Sequence, residues 1–167
     1  MQATRERLVQ WEDPLASAGA LRQLSGLEAI RAVRDGVVPP PPIANLMGFR
    51  IAEADEGRVV FEGYPGEEHY NPIGVVHGGF ALTLFDSAMG CAIHTMLPHG
   101  VAYTTTDVQV RFIRAITKDT GPVRCEATVI HVGRSTAIAE ATLRDGDGRV
   151  LGTGTTGCAV FRPPASS

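Results

Sequence analysis

The sequence predicts an α+β domain in which one long helix packs on a curved antiparallel sheet behind an N-terminal helical arm. Two strand-like stretches, residues 49–54 and 58–64, precede a long apolar segment at about 78–97. Further strand-like stretches follow at 103–113, 123–132, 135–144 and 149–161. One helix set among many strands is the order of an α+β architecture, not of alternating βαβ units. The helical segment is also apolar or small nearly all round, carrying Phe80, Leu84, Phe85, Ala88, Met89 and Ile93. Such a helix must be covered on most sides. A single sheet achieves that by curling around it or by pairing with a second subunit.

Residues 25–28, Ser-Gly-Leu-Glu, match a capping box. Leu27, Ile30 and Val33 then recur at helical spacing, and Asp35-Gly36 can end the helix. Pro39 to Pro42 cannot continue a helix and read as a stiff, extended linker. Residues 1–44 are therefore expected to form a helical arm and Pro-rich linker, 45–162 the main domain, and 163–167 a flexible tail. Asp55-Glu56-Gly57 is a hairpin turn signal, and Asp145-Gly146-Asp147-Gly148 another between the last two strands. A loop rich in Gly, Pro, Asn and His occupies 65–77.

With 167 residues, 44% hydrophobic and 20% charged, the composition is that of one soluble globular domain. A net charge of −3 offers no broad basic field, which argues against a nucleic-acid partner. The first twenty residues hold no apolar run of signal-peptide length. Asp86 and His94 interrupt the most apolar stretch, a poor membrane span, so no membrane partner is expected. Three widely separated cysteines, Cys91, Cys125 and Cys158, suit free thiols in a reducing cytoplasm better than a disulfide framework or a zinc site. Neither a metal nor a cofactor is implied.

Between Glu68 and Asp107 the only formally charged residue is Asp86, in the middle of the apolar helix. No Lys or Arg lies within helical reach. Such a carboxylate is either satisfied by backbone donors or a distant arginine, or it is kept for chemistry with its acidity set by apolar surroundings. His77-Gly78-Gly79 opens the same helix. Glycines there let a ligand approach the backbone, and the free N–H groups of a helix start can hold a developing oxyanion. Gly78 and Asp86 are about 12 Å apart along the axis. Two antiparallel helices from two subunits could bring one helix start beside the other's carboxylate.

The run from Asn71 to Gly79, Asn-Pro-Ile-Gly-Val-Val-His-Gly-Gly, followed by Leu84-Phe85-Asp86, resembles the hotdog-fold thioesterases of the PaaI-like (phenylacetate-degradation) family. The likeness covers about residues 45–161 and includes the Gly133-Arg134-Ser135 turn and residues 154–157 of the last strand. It implies the hotdog fold, homodimers with shared active sites, often assembled into homotetramers, and hydrolysis of an acyl-CoA to free acid and coenzyme A. In that scheme Asp86 is the nucleophile or general base. The Gly78 backbone N–H polarises the thioester carbonyl, Asn71 holds water or substrate, and His77 helps position the carbonyl. A hydroxyl residue after the helix assists, and an offset of eighteen from Asp86 falls on Thr104, with Thr105 beside it. Gly79, Thr105, Gly133, Arg134 and Ser135 are the expected contacts to substrate or coenzyme A.

Other patterns carry less. Residues 152–157 fit G-x-G-x-x-G, but no helix follows and only ten residues remain. A strand whose small residues lie near the helix is the better reading. Gly133-Arg134-Ser135-Thr136-Ala137 imitates a nucleophile elbow, yet no His follows His131 to complete a triad. Arg111 and Arg114 could meet coenzyme A phosphates or simply be surface residues. An acyl-thioester hydratase or dehydratase needs a His and a carboxylate arranged for α-proton chemistry, which this spacing suits poorly. A non-catalytic acyl-CoA sensor would carry a DNA-binding helix pair, for which 1–45 is too short.

Overall fold

A computed structural model describes residues 4–163. The expected tail therefore lies, beyond Pro163, outside the described residues. Four helices and six strands follow one another as α1 (Pro14–Leu21), α2 (Gly26–Arg34), α3 (Pro42–Met47), β1 (Phe49–Asp55), β2 (Arg58–Gly63), α4 (Gly78–Thr95), β3 (Ala102–Phe112), β4 (Val123–Val132), β5 (Thr136–Arg144) and β6 (Val150–Phe161). The strands form one antiparallel sheet in the order β1-β2-β4-β5-β6-β3. The chain passes from β2 through α4 to the far edge of the sheet, so the helix lies across the sheet it links. This is the hotdog fold.

The helix and the sheet fit by size. Phe80, Leu84, Phe85, Met89 and Ile93 line the sheet-facing side of α4 and are almost fully buried. Opposite them the sheet offers small residues, Cys125, Ala127, Ala137, Ala139 and Ala141, on strands whose burial alternates, throughout β5 and as far as Val129 in β4. Gly152 and Gly154 extend this floor: a Cβ on Gly154 would stand 3.1 Å from Phe85 and 3.2 Å from the Gln109 carbonyl. Bulky residues on one layer pressed into a floor of small ones reach interior packing density and let the sheet wrap the helix. The first two glycines of the G-x-G-x-x-G run, Gly152 and Gly154, are thus packing residues under α4, whereas Gly157 lies against the Asp107 side chain.

The sheet covers only part of α4. Leu82 and Asp86, on the opposite side, are exposed in the single chain. The expectation of a helix buried on most sides holds: within α4 only Leu82 and Asp86 are exposed, and this narrow outer strip is left to other parts of the molecule. Part of that outer side is taken by the arm. The capping box at Ser25 and Glu28 starts α2, and Gly36, at φ 72°, follows its end. Gly26 sits against the last turns of α4 so closely that a Cβ there would overlap the His94 carbonyl oxygen, and its N–H donates to the Leu97 carbonyl at 3.0 Å.

The arm holds more helix than the sequence suggested. The carboxylate of Asp13 accepts from Leu15 N at 2.9 Å and Pro14 opens α1. Pro42 likewise takes the first position of α3, where its missing N–H costs nothing. The Pro-rich linker is thereby corrected: it ends at Pro41, its fourth proline starts a helix, and α3 runs across residue 45.

Candidate active site

The middle of α4 brings Asp86 to the outer face, where the Thr105 hydroxyl donates to Oδ1 at 2.9 Å. Behind Thr105, on the neighbouring strand, the Cys158 thiol lies 4.0 Å from its Oγ1. Thr104 is not at this position. Successive residues of β3 point to opposite faces, and Thr104 is exposed on the outer side, opposite Ala159 in the sheet. The offset of eighteen misses by one because the connection from α4 to β3 can vary in length. The run Thr104-Thr105-Thr106 also has no apolar alternation to fix its phase.

Asp86 has no cationic partner among the described residues. It lies at a cavity of about 550 Å3, whose walls include Ser87, Gly90, Cys91, Tyr103 and Thr105. The two arginines on the same cavity are engaged elsewhere: Arg34 Nε with Asp35 at 2.7 Å, and Arg50 with Glu62 at 3.1 Å. Burial, reinforced by the Asp86 charge, pushes the Cys91 thiol up to about 12. Burial likewise raises Tyr103 well above the ordinary phenol range. Both stay protonated at neutral pH.

At the start of α4 the side chains are committed to shaping the backbone. His77 is the N-cap, its Nδ1 accepting from Gly79 N at 2.8 Å. The Gly79 N–H is therefore occupied, whereas the Gly78 N–H has no partner among the described residues, as expected of a first helical position. A Cβ on Gly78 would lie 3.0 Å from the Phe112 ring, so any larger residue would have to push that side chain aside. Asn71 uses its Oδ1 to accept from Ile73 N at 3.1 Å and Val75 N at 3.3 Å, which folds the loop and leaves its Nδ2 protons to donate outward. His69 braces this loop. Its Nδ1 accepts from Gly66 N at 3.0 Å and its ring packs on Phe80 at 4.7 Å.

One chain does not bring all the expected residues together. Asp86 and Thr105 share the cavity, but Asn71, His77, Gly78 and Gly79 do not line it, and neither do Gly133, Arg134 and Ser135. The turn carrying the last three lies toward the opposite end of the sheet from Phe112, with Arg134 exposed and Arg162 donating to the carbonyls of Gly133 and Arg134. Tyr103, Cys158 and the arm residues on the cavity were not anticipated. An Asp-Pro start before a run of Ala and Leu at 13–21 was the available signal for α1.

The thioesterase superfamily model matches residues 73–151. A Halobacterium salinarum protein provisionally named an esterase is 34% identical over 107 residues, covering 60% of this chain and 68% of that protein. The chain belongs to the thioesterase superfamily. A Listeria monocytogenes relative named 1,4-dihydroxy-2-naphthoyl-CoA hydrolase is 24% identical over 110 residues, 65% of this chain and 87% of the relative. Among solved structures, the Escherichia coli PaaI protein superposes with a TM-score of 0.71 at 19% identity over 82% of this chain and 96% of PaaI, a likeness of fold. By family the chain is a thioesterase, and its fold is the one that PaaI also has.

Proposed function

We propose that this thioesterase hydrolyses acyl-CoA at a site shared between two subunits, with Asp86 as nucleophile or general base. The observation that carries the reading is the state of Asp86: its Oδ1 is held by Thr105 at 2.9 Å, no cation among the described residues pairs with it, and it faces a cavity. A carboxylate fixed through one oxygen presents the other to a thioester carbonyl carbon or to a water whose proton it takes. The carbonyl oxygen, gaining negative charge, is received by the Gly78 N–H at a helix start. Asn71 Nδ2 donates to the water or substrate, and His77 orients the carbonyl by holding the first turn in shape. The bond from carbonyl carbon to sulfur then breaks. With Asp86 as base, the proton taken from water passes to the departing sulfur. With Asp86 as nucleophile, water then hydrolyses the acyl-aspartyl anhydride, so that either route ends in free acid and the thiol of coenzyme A.

The distance of about 12 Å from Gly78 to Asp86 along one helix supports a site completed by a second chain. So does β3: its outer edge, on an 11-residue strand, has no strand partner among the described residues, and long free edges invite pairing. A partner covering the exposed outer face of α4 would exclude water from Asp86. Arg134 is the cation best suited to coenzyme A phosphates beside Gly133 and Ser135. Free Cys91, Cys125 and Cys158 favour a reducing cytoplasm. No helix among the described residues is long and apolar enough to cross a membrane. The Listeria relative, named as an acyl-CoA hydrolase, supports this substrate class.

The test is a panel of acyl-CoAs read with a thiol reagent, for wild type and Asp86→Asn. Asn keeps the shape and loses the charge. Turnover should fall by about 100-fold or more, the scale of a central acid–base group, with the melting profile retained. Near-normal turnover in a folded Asn variant would remove Asp86 from the mechanism.

A further inference from the structure

Resting on the thioester reading above, we propose that the N-terminal arm forms one wall of the acyl pocket and fits this chain to apolar acyl groups longer than acetyl. The cavity at Asp86 is about 550 Å3, in the range of pockets that enclose most of a small ligand. One wall is the outer side of α4 and the start of β3, from Asp86 and Thr105 past Gly90 and Cys91 to Tyr103. The facing wall is the arm: Ser17, Ala18 and Leu21 of α1, with Pro39, Pro40 and Pro41. The thioester carbonyl belongs at Asp86, so the cavity can receive only what extends from the acyl side or the coenzyme side. Its free surface is apolar, its two arginines are already paired, and a phosphorylated nucleotide would find no cation free there. The acyl group is the part whose chemistry matches.

The wall is long, and the segments on either side of α1 are anchored. The eight residues of α1 run about 10 Å, well beyond the reach of an acetyl group. Gly26 seats α2 on the end of α4, and the segment before α1 is tied to α3 by Asn45 Nδ2 donating to the Gln10 carbonyl at 2.8 Å and by Arg7 donating to the Asn45 carbonyl at 2.9 Å. The family match begins at residue 73, so this wall is built by a segment outside it. Apolar groups sealed between α4 and α1 leave water, which favours longer acyl chains.

The experiment uses the full chain, wild type, Ala18→Phe and Leu21→Ala. Ala18 is half-buried on the cavity side of α1, so a phenyl ring there fills the space, whereas Leu21→Ala enlarges it. Hydrolysis of acetyl-, octanoyl- and phenylacetyl-CoA is measured beside calorimetric binding of the non-hydrolysable thioethers S-methyl-CoA and S-octyl-CoA. Wild type should prefer octanoyl or phenylacetyl over acetyl by about tenfold or more in kcat/KM, the better of the two identifying an alkyl or an aryl pocket. Ala18→Phe should lower that ratio by a similar factor, and Leu21→Ala should alter it in folded protein. S-octyl-CoA should bind more tightly than S-methyl-CoA, and Ala18→Phe should remove the difference. Equal kcat/KM for all three thioesters, or an equal loss on all three in Ala18→Phe, overturns the pocket while leaving thioester hydrolysis standing. Binding selectivity that follows Ala18 without any hydrolysis overturns the thioesterase reading and keeps the pocket. S-octyl-CoA binding no tighter than S-methyl-CoA overturns the pocket whatever the hydrolysis.

Discussion

The outer face of α4 differs between its two halves. At the first turn it is bare: Gly78 and Gly79 carry no side chains, and one N–H is left free under the edge of Phe112. At the last turns it is closed, with Gly26 of the arm pressed on His94 and Leu97. Asp86 stands between, beside the cavity that the arm encloses. The closed half supplies its own cover within one chain. The bare half offers one backbone donor, the Gly78 N–H, without a partner among the described residues, and about 12 Å separates it from the carboxylate on the same helix. A surface finished at one end and unfinished at the other is the pattern expected of a subunit whose partner completes it.

The largest effect that could break this comparison is complementation between subunits. Asn71→Asp keeps an acceptor for Ile73 and Val75, so the loop should hold, but it loses the outward donors. Asp86→Asn disables the other half. Each variant alone should retain about 1% of turnover or less. Unfolded together and refolded, about half the dimers should be mixed, and each mixed dimer has one intact site and one doubly damaged site. Roughly a quarter of wild-type turnover should return, a gain of more than tenfold. If mass spectrometry finds exchanged dimers and the rate stays at the single-variant level, the first turn and Asp86 act within one chain.

A smaller effect sharpens the middle of the helix. Thr105→Ala removes the hydroxyl from Asp86 Oδ1 and should lower kcat by about tenfold, the worth of a hydrogen bond to a charged group. Thr104→Ala, on the other face of β3, should stay within about twofold of wild type. KM should move little in either case if the hydroxyl acts mainly in the transition state. The reverse ranking would mean that β3 takes a different register in the assembled protein.

These particular residues also mark what the sequence could and could not convey. Asp86 and the His77-Gly78-Gly79 start were legible because a lone charge and paired glycines are conspicuous in an apolar helix. The strands of the sheet were legible through alternation, as in β4 and β5, whose inward residues are small and buried. Thr105 was one residue from the expected Thr104, since three consecutive threonines give no phase. The exposure of Asp86 was not legible at all: apolar residues occur around the whole of α4, and periodicity does not say which side a second element or a second subunit will cover. Nor could pattern alone join α1 to the active site, because residues 17–21 face Asp86 and Thr105 across one cavity only through the way the arm folds back on α4.

The smallest effect concerns the closed half and depends on pH. Burial lowers the affinity of His94 for a proton, since its ring lies between the arm and Tyr103, 5.4 Å from the phenol ring centre. Its folded pKa is therefore below the value of about 6.5 expected in the unfolded chain. Above that pH the ring is neutral in both states and contributes no dependence. As pH falls through about 6.5 the unfolded chain takes up a proton that the folded protein resists, so stability declines until the folded pKa is passed. His69 is depressed for the same reason and adds the same sign from the loop before α4. His94→Phe keeps a ring against Tyr103 and removes one of these two titrations. Between about pH 7 and pH 5, the urea midpoint of wild type should fall more steeply than that of the variant. Parallel profiles would mean that His94 meets solvent as freely in the folded protein as in the unfolded chain, and that the arm does not seal the last turns of α4.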